Sequence, residues 1–219
     1  MIRVEKLTKS YRLKDRRHYV FRNLSFEIPE KTNLGILGVN GAGKSTLLRI
    51  LGGIDHPDSG RIRTTCTFSW PLGLSGGFIN HINARENCKM ICRIYSMDIP
   101  DIPNALDRIK SMSGIGEYFE SPMNTYSTGM KSRVAFALSM EFDFDYFLLD
   151  EITAVGDKLF RQTAANALEA KRLRSKVLMV SHQMHTLREF CDSGILLHAG
   201  DVSFFPDIED AIKAYDQVA

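Results

Sequence analysis

The chain has 219 residues, of which 44% are hydrophobic and 25% charged, and a formal net charge of +2. That length buries a sizeable core in one or two compact units, and the composition is that of a globular protein. Charge this close to balance argues against a dedicated nucleic-acid binder, and no apolar run approaches the roughly 18 residues that a membrane-spanning helix needs. Met1 to Lys6 alternates apolar and polar, as a strand does and a signal peptide does not. The chain is therefore expected to stay where it is made and to borrow any membrane-spanning part from a partner. Lys9, Arg12, Lys14, Arg16 and Arg17 make a short basic run that reads as a solvated loop, a phosphate-steering patch or a contact for anionic lipid. Leu24 to Ile28 alternates again and predicts a second half-buried strand.

Leu34 to Leu37 is an apolar run that predicts a buried strand. It leads into Gly38-Val39-Asn40-Gly41-Ala42-Gly43-Lys44-Ser45 and then Thr46 to Leu51, which predicts a helix. Strand, glycine-rich loop, Lys-Ser and helix in that order are the context a phosphate-binding loop requires. Glycines let backbone N–H groups close around phosphate oxygens, and the helix N-terminus adds partial positive charge. Lys44 would reach the β- and γ-phosphates and the Ser45 hydroxyl would ligate Mg²⁺. Gly52-Gly53 ends that helix, and Pro57 to Gly60 predicts a turn into Arg61-Ile62-Arg63.

The stretch from Ser69 to Asn80 is rich in glycine and large apolar residues, among them Trp70, Pro71, Leu72, Leu74 and Phe78. In a loop such residues are either buried core or a partner surface. Helical signals dominate from about Asn83, a candidate cap with Glu86 three residues on, to Glu141. Within them, Tyr126-Ser127-Thr128-Gly129-Met130 precedes a helix predicted from Lys131 to Glu141, so Ser127 and the Gly129 N–H offer a second anion site at a helix N-terminus. Tyr146 to Leu149 is an apolar strand ending in Asp150-Glu151, and Val180-Ser181-His182 is a strand ending in a histidine. Beside a phosphate loop, Asp150 would hold Mg²⁺ and Glu151 would polarise the attacking water. From Tyr146 strands and helices alternate, as in a parallel sheet with crossover helices. The tail reads as a turn at Gly200-Asp201 and a helix from about Asp207 to Gln217. Cys66, Cys88, Cys92 and Cys191 read as packing thiols, with neither a disulfide framework nor a metal set.

In this order and spacing the motifs resemble the nucleotide-binding subunits of ATP-binding cassette (ABC) transporters, over roughly residues 1–205. Gly38 to Ser45 corresponds to Walker A, Leu148 to Glu151 to Walker B, Ser127 to Met130 to the signature, Ala154 to Asp157 to the D-loop and His182 to the switch histidine. Further strings are similar to the ATPases of bacterial capsular polysaccharide exporters: Leu7 to Tyr11, Ser69 to Leu74, Gly76 to Phe78, Arg85 to Asn87 and Asp150 to Asp157. More distantly they resemble O-antigen and teichoic acid exporters. No segment after Ala219 corresponds to the carbohydrate-binding domain of some O-antigen exporters, which favours the capsule branch.

The resemblance implies an α/β fold of the P-loop NTPase type: one domain with a RecA-like core, an antiparallel β subdomain, an α-helical subdomain inserted at about 83–141 and a C-terminal extension at 200–219. It implies ATP and Mg²⁺ as ligands. Gly38, Asn40, Gly41, Ala42, Gly43, Lys44, Ser45 and Thr46 would cradle the phosphates, with Ser45 and Asp150 at the metal. Glu151 would be the base, His182 would contact the γ-phosphate, and Lys44 would spread charge. Tyr11 would stack on adenine, with Tyr19 as the alternative. Ser127, Gly129 and Asp157 would complete the site across a head-to-tail dimer with a second copy. A transmembrane permease of the ABC-2 type is the implied partner, with periplasmic and outer-membrane export components beyond it, at the cytoplasmic face of the inner membrane. Export of lipid-linked polysaccharide is the implied task. A soluble cassette ATPase would carry two cassettes or a long coiled-coil insertion, and a small-molecule kinase would not need the signature or His182. Two departures stand out: no glutamine precedes Gln162, where the family uses one near Mg²⁺, and the signature reads Ser-Thr-Gly-Met. Asn80 or His81 could replace the missing glutamine.

Overall fold

The computed structural model describes residues 1–14, 16–72, 77–150, 158–171 and 174–219. They form two compact units, residues 1–71, 144–151 and 174–219, and residues 72–143 and 152–173.

The first unit holds both sheets. β1 (Ile2–Leu13), β2 (Arg16–Ile28) and β4 (Ser59–Arg63) form an antiparallel sheet in the order β2-β1-β4. The alternation in the sequence is real: Ile2, Val4, Leu7, Leu24 and Ile28 are buried, and Ile2 pairs with Ile28. Both strands run further than the alternation shows. β1 pairs with β4 only from Arg3 to Thr8, but with β2 as far as Leu13 opposite Arg16. From Lys9 onward the hairpin is therefore a two-stranded ribbon, and its basic composition hides it from a search for period two.

The second sheet contains β5 (Tyr146–Asp150), β6 (Lys176–Val180), β3 (Leu34–Leu37), β7 (Ser193–His198) and β8 (Asp201–Phe205), in that spatial order. The first four are parallel and β8 is antiparallel. All four residues of β3 are buried, as expected of a parallel strand covered on both faces. Helices α1 (Lys44–Leu51), α6 (Met184–Phe190) and α7 (Ile208–Asp216) belong to this unit. The segment after Gly200 carries a strand as well as the predicted helix. A Cβ on Gly194 of β7 would sit 2.4 Å from the Ala211 Cβ, so glycine is what lets α7 lie directly on the sheet.

The second unit is helical: α2 (Ala84–Ile94), α3 (Ile102–Ser113), α4 (Thr128–Ser139) and α5 (Lys158–Lys171). Asn83 caps α2 by accepting from the Glu86 N–H at 2.8 Å. α4 begins three residues before the predicted start, because Ser127 itself caps it. Cys88 and Cys92 face inward, fully buried, and burial pushes both thiols up. Asn87, also fully buried, donates to the Ile79 and Asn83 carbonyls at 3.0 and 2.9 Å and accepts from the Ile79 N–H at 2.8 Å. Among the described residues no helix is long and apolar enough to cross a membrane.

Candidate nucleotide site

Parallel register brings the predicted chemistry to one edge of the sheet. Val180 of β6 lies opposite both Ile36 of β3 and Asp150 of β5. The C-terminal ends of three neighbouring strands therefore release Gly38, His182 and Asp150 side by side, at the edge where α/β sheets bind ligands. The loop from Gly38 to Ser45 lies wholly within the described residues. Gly38, Gly41 and Gly43 have φ of 149°, 84° and 99°, a region that disfavours side chains. A Cβ at Gly38 would also come within 2.5 Å of the Leu197 carbonyl oxygen, and one at Gly43 within 2.4 Å of a Val20 methyl. Gly43 caps α1 without a side chain, which leaves this helix end shaped by backbone alone.

Lys44 is buried, and its ammonium donates to the carbonyls of Gly38 and Val39 at 2.6 and 3.1 Å. These bonds hold the cation across the mouth of the loop. The Ser45 hydroxyl donates to Asp150 Oδ1 at 3.2 Å. Two residues 105 positions apart, predicted separately to touch Mg²⁺, are thus in contact. Asn40 and Gly41 are exposed and Ala42 and Thr46 half-buried. His182 is exposed on the connection between β6 and α6. Glu151 and Asp157 lie outside the described residues, as does Leu74.

Tyr11 belongs to a network that gives no local signal in the sequence. Its hydroxyl donates to Asp55 Oδ2 at 2.5 Å, and the Thr46 side chain in the first turn of α1 is a neighbour that acts to lower the phenol. Lys9, 7% exposed, donates to Asp55 Oδ1 at 2.6 Å and to the His56 carbonyl at 2.7 Å, and its ammonium stands 4.8 Å from the centre of the Tyr11 ring. Burial would push the Asp55 carboxyl up, but the bonds from Lys9, Tyr11 and the His56 N–H outweigh it and hold the group below its ordinary value. Burial and the bond to Asp55 raise the Tyr11 phenol, so it is neutral at working pH. Tyr19, the alternative for adenine, instead carries the Arg22 guanidinium 3.6 Å from its ring centre. Asp55 and Lys9 are the residues that sequence reasoning missed, because Asp55-His56-Pro57-Asp58 looks like a turn and nothing more.

Ser127 and Gly129 lie in the second unit, at the start of α4. The Ser127 Oγ accepts from the Met130 N–H at 3.2 Å. Asn80 and His81 are both exposed. The Asn80 side-chain oxygen accepts from Lys131 Nζ at 2.9 Å, and its backbone oxygen accepts from the Asn124 N–H at 2.9 Å. Asn80 is thus tied to the segment around the signature. Of the apolar loop, Leu72 is 1% exposed and Pro71 buried, while Trp70 is half-buried with its ring edge-on to Phe144 at 5.8 Å. Ser69, fully buried, accepts from the Leu148 N–H at 2.9 Å and fixes this segment beside β5. Trp70 to Leu72 therefore belong largely to the core, and Phe78, half-buried, is the best remaining candidate for a partner surface.

A profile of the family described as "ABC transporter" matches residues 21–154. The chain belongs to the ABC transporter family. Its enzymatic activity is ATP hydrolysis. The chain is 48% identical, over 98% of both sequences, to the polysialic acid transport ATP-binding protein KpsT of Escherichia coli. It is 38% identical, over the full length of both, to the capsule polysaccharide export ATP-binding protein CtrD of Neisseria meningitidis serogroup B. Among solved structures it superposes on a dimeric ATP-binding cassette in a post-hydrolysis state with ADP and Pi, at a TM-score of 0.77 and 22% identity over 95% of this chain and 99% of that one. The RecA-like core, antiparallel sheet and helical part expected from the resemblance are those of an ABC ATPase.

Proposed function

We propose that the chain is the ATP-hydrolysing subunit of an exporter of lipid-linked capsular polysaccharide, acting at the cytoplasmic face of the inner membrane. What carries this reading is end-to-end similarity to capsule-export ATPases on a chain whose Ser45 and Asp150 meet. As one ABC ATPase domain, it has its nucleotide-binding core in the first unit and its helical subdomain at about 83–141.

The loop from Gly38 to Thr46 wraps the triphosphate with backbone N–H groups, and Lys44 reaches the β- and γ-phosphates. Ser45 and Asp150 present two oxygens to one point, which suits a hard cation that takes its remaining ligands from phosphates and water. Mg²⁺ held there would neutralise charge on the β- and γ-phosphates. Glu151 accepts the proton of the attacking water, and His182 contacts the γ-phosphate and orients that water. Tyr11, fixed by Asp55, stacks on adenine. Ser127, Gly129 and Asp157 act across a head-to-tail homodimer, each on the nucleotide held by the partner's phosphate loop. Closure of that dimer drives an ABC-2 type permease, with periplasmic and outer-membrane components beyond it.

The test is co-expression with a membrane subunit encoded beside capsule-synthesis genes. Co-purification and ATPase activity that rises in the complex are the expected results. Failure to associate, with surface polysaccharide unaffected by loss of this chain, would remove the export reading and leave the ATPase.

A further inference from the structure

The antiparallel sheet treats its cations in two ways. Where β4 covers β1, each exposed arginine has a carboxylate: Arg3 Nε lies 2.6 Å from Glu27, and Arg61 and Arg63 lie 2.7 and 3.1 Å from Glu5. Lys9, at the start of the ribbon, is closed onto Asp55. Beyond it come Arg12, Lys14, Arg16 and Arg17, all exposed, and none forms an ion pair with a described residue. Asp15, the only acidic residue in this stretch, lies outside the described residues, and even with it four cations accompany one anion. The register sets Arg12 directly opposite Arg17. Like charges across a strand pair destabilise it. Arg3 and Arg63 also lie opposite one another, but each of them has its carboxylate, whereas at this end no described residue offsets the charge.

We propose that this end of the β1–β2 hairpin docks on the negatively charged surface of a lipid bilayer. Side chains alternate between faces along a strand, so neighbours Arg16 and Arg17 project to opposite sides of the ribbon. Charges arranged around a tip do not converge on one small anion as a pocket would. They match a plane of many anionic headgroups, which meets several cations at once. A cluster of four or more Lys and Arg is the density at which such attraction becomes useful, about fivefold in partitioning for each cation. With a net charge of only +2, the attraction is local to the tip and not a property of the whole chain. The inference rests on the reading of the chain as a membrane exporter's ATPase. A permease that holds the protein at a bilayer supplies the high local concentration that makes a weak surface contact count. In that setting the hairpin would orient the subunit on the membrane.

The experiment is sedimentation of the full chain with vesicles of neutral phosphatidylcholine, and with vesicles containing about one-third anionic phosphatidylglycerol. Binding to the anionic vesicles only, lost at about 0.5 M salt, is expected. The combined variant Arg12→Gln, Lys14→Gln, Arg16→Gln, Arg17→Gln should lower partitioning by roughly 10²-fold or more, and Arg16→Gln with Arg17→Gln alone by about 25-fold. ATP affinity and basal hydrolysis should not change, and the thermal midpoint should hold or rise as the like-charge pair disappears. Equal binding of wild type and both variants to anionic vesicles overturns the proposal. So does unchanged vesicle binding with weakened ATP affinity, which would assign the cations to the nucleotide. A permease complex that forms normally while vesicle binding is absent overturns this inference and leaves the export reading standing. If the permease complex fails but the charge-dependent vesicle binding is found, the export reading falls and the surface stands.

Discussion

Two helices in this protein begin at a proposed anion site, and they begin differently. α1 starts at Gly43, with no capping side chain and a loop of left-handed glycines before it. α4 starts at Ser127, whose own hydroxyl already accepts from the Met130 N–H. The first end is built from backbone whose shape has no room for side chains at Gly38 and Gly43, and it carries Lys44 across its mouth. The second is satisfied by itself and offers only one hydroxyl and a short run of N–H groups. A phosphate therefore has reason to bind the first alone, and the second contributes only when brought to a phosphate already held elsewhere. The contrast predicts that nucleotide affinity resides in the first unit and that the signature acts on turnover.

The most drastic way to break that division is Ser127→Arg, which puts a long cation where the partner's nucleotide should come. Hydrolysis should be abolished while ATP binding by the monomer, followed by calorimetry, stays close to wild type. Mixing with Lys44→Ala protein should restore at most one composite site per dimer. A large loss of ATP affinity in the isolated Ser127→Arg monomer would show that the signature serves its own nucleotide.

Next in size is Glu151→Gln, which keeps shape but removes the proposed proton acceptor that follows Asp150. Turnover should fall by roughly 10²-fold or more, with ATP still bound and the dimer trapped on a sizing column. Near-normal turnover would refute the assignment.

A smaller effect sharpens the account of the first site. Asp55→Ala frees the Tyr11 hydroxyl, so KM for ATP should rise by about tenfold with kcat little changed, an effect of uniform binding. Asp55→Asn should recover most of that loss, and a fall in kcat with unchanged KM would deny Asp55 a positioning role. The same residue gives a pH test. Its folded carboxyl is held below the ordinary value of 3.8, so its ion pair adds stability above that pH and loses it as pH falls through the lowered value. Asp55→Asn should flatten that acid limb in thermal melts.

The smallest effect concerns the second end. Ser127→Ala removes the cap of α4 and should cost about 1 kcal/mol in the unfolding free energy. Ser127→Gly should recover most of that stability but not the hydrolysis, because glycine tolerates the cap position and lacks the hydroxyl. Equal recovery of both would reduce Ser127 to a structural cap.

The apolar loop tests the line between core and partner surface. Leu72 sits in the core and Trp70 meets Phe144 edge-on, so two of the residues that read as either core or partner surface are packed within the chain. A loop's apolar residues give no period from which burial can be read, and the contacts that fix Ser69 and Trp70 come from Leu148 and Phe144, over seventy positions away. Asn80 illustrates the same limit. Its place after a glutamine-free stretch suggests a substitute sensor, yet its side chain is engaged by Lys131.

Sequence alone determined the elements whose chemistry is local. The phosphate loop was legible because glycine spacing, Lys-Ser and the strand–helix setting occupy one short run. The parallel core was legible because strands buried on both faces read as apolar runs. The order of five motifs named the family. Tertiary structure alone decided which distant groups meet: Ser45 with Asp150, Tyr11 with Asp55, α7 with Gly194 of β7. It also decided that the basic run is the end of a paired ribbon and not a loose loop. Strand pairing is a relation between two segments, and like charges placed opposite each other leave no periodic trace in either one. Local pattern records how a segment meets water, and only the folded chain records which groups it meets.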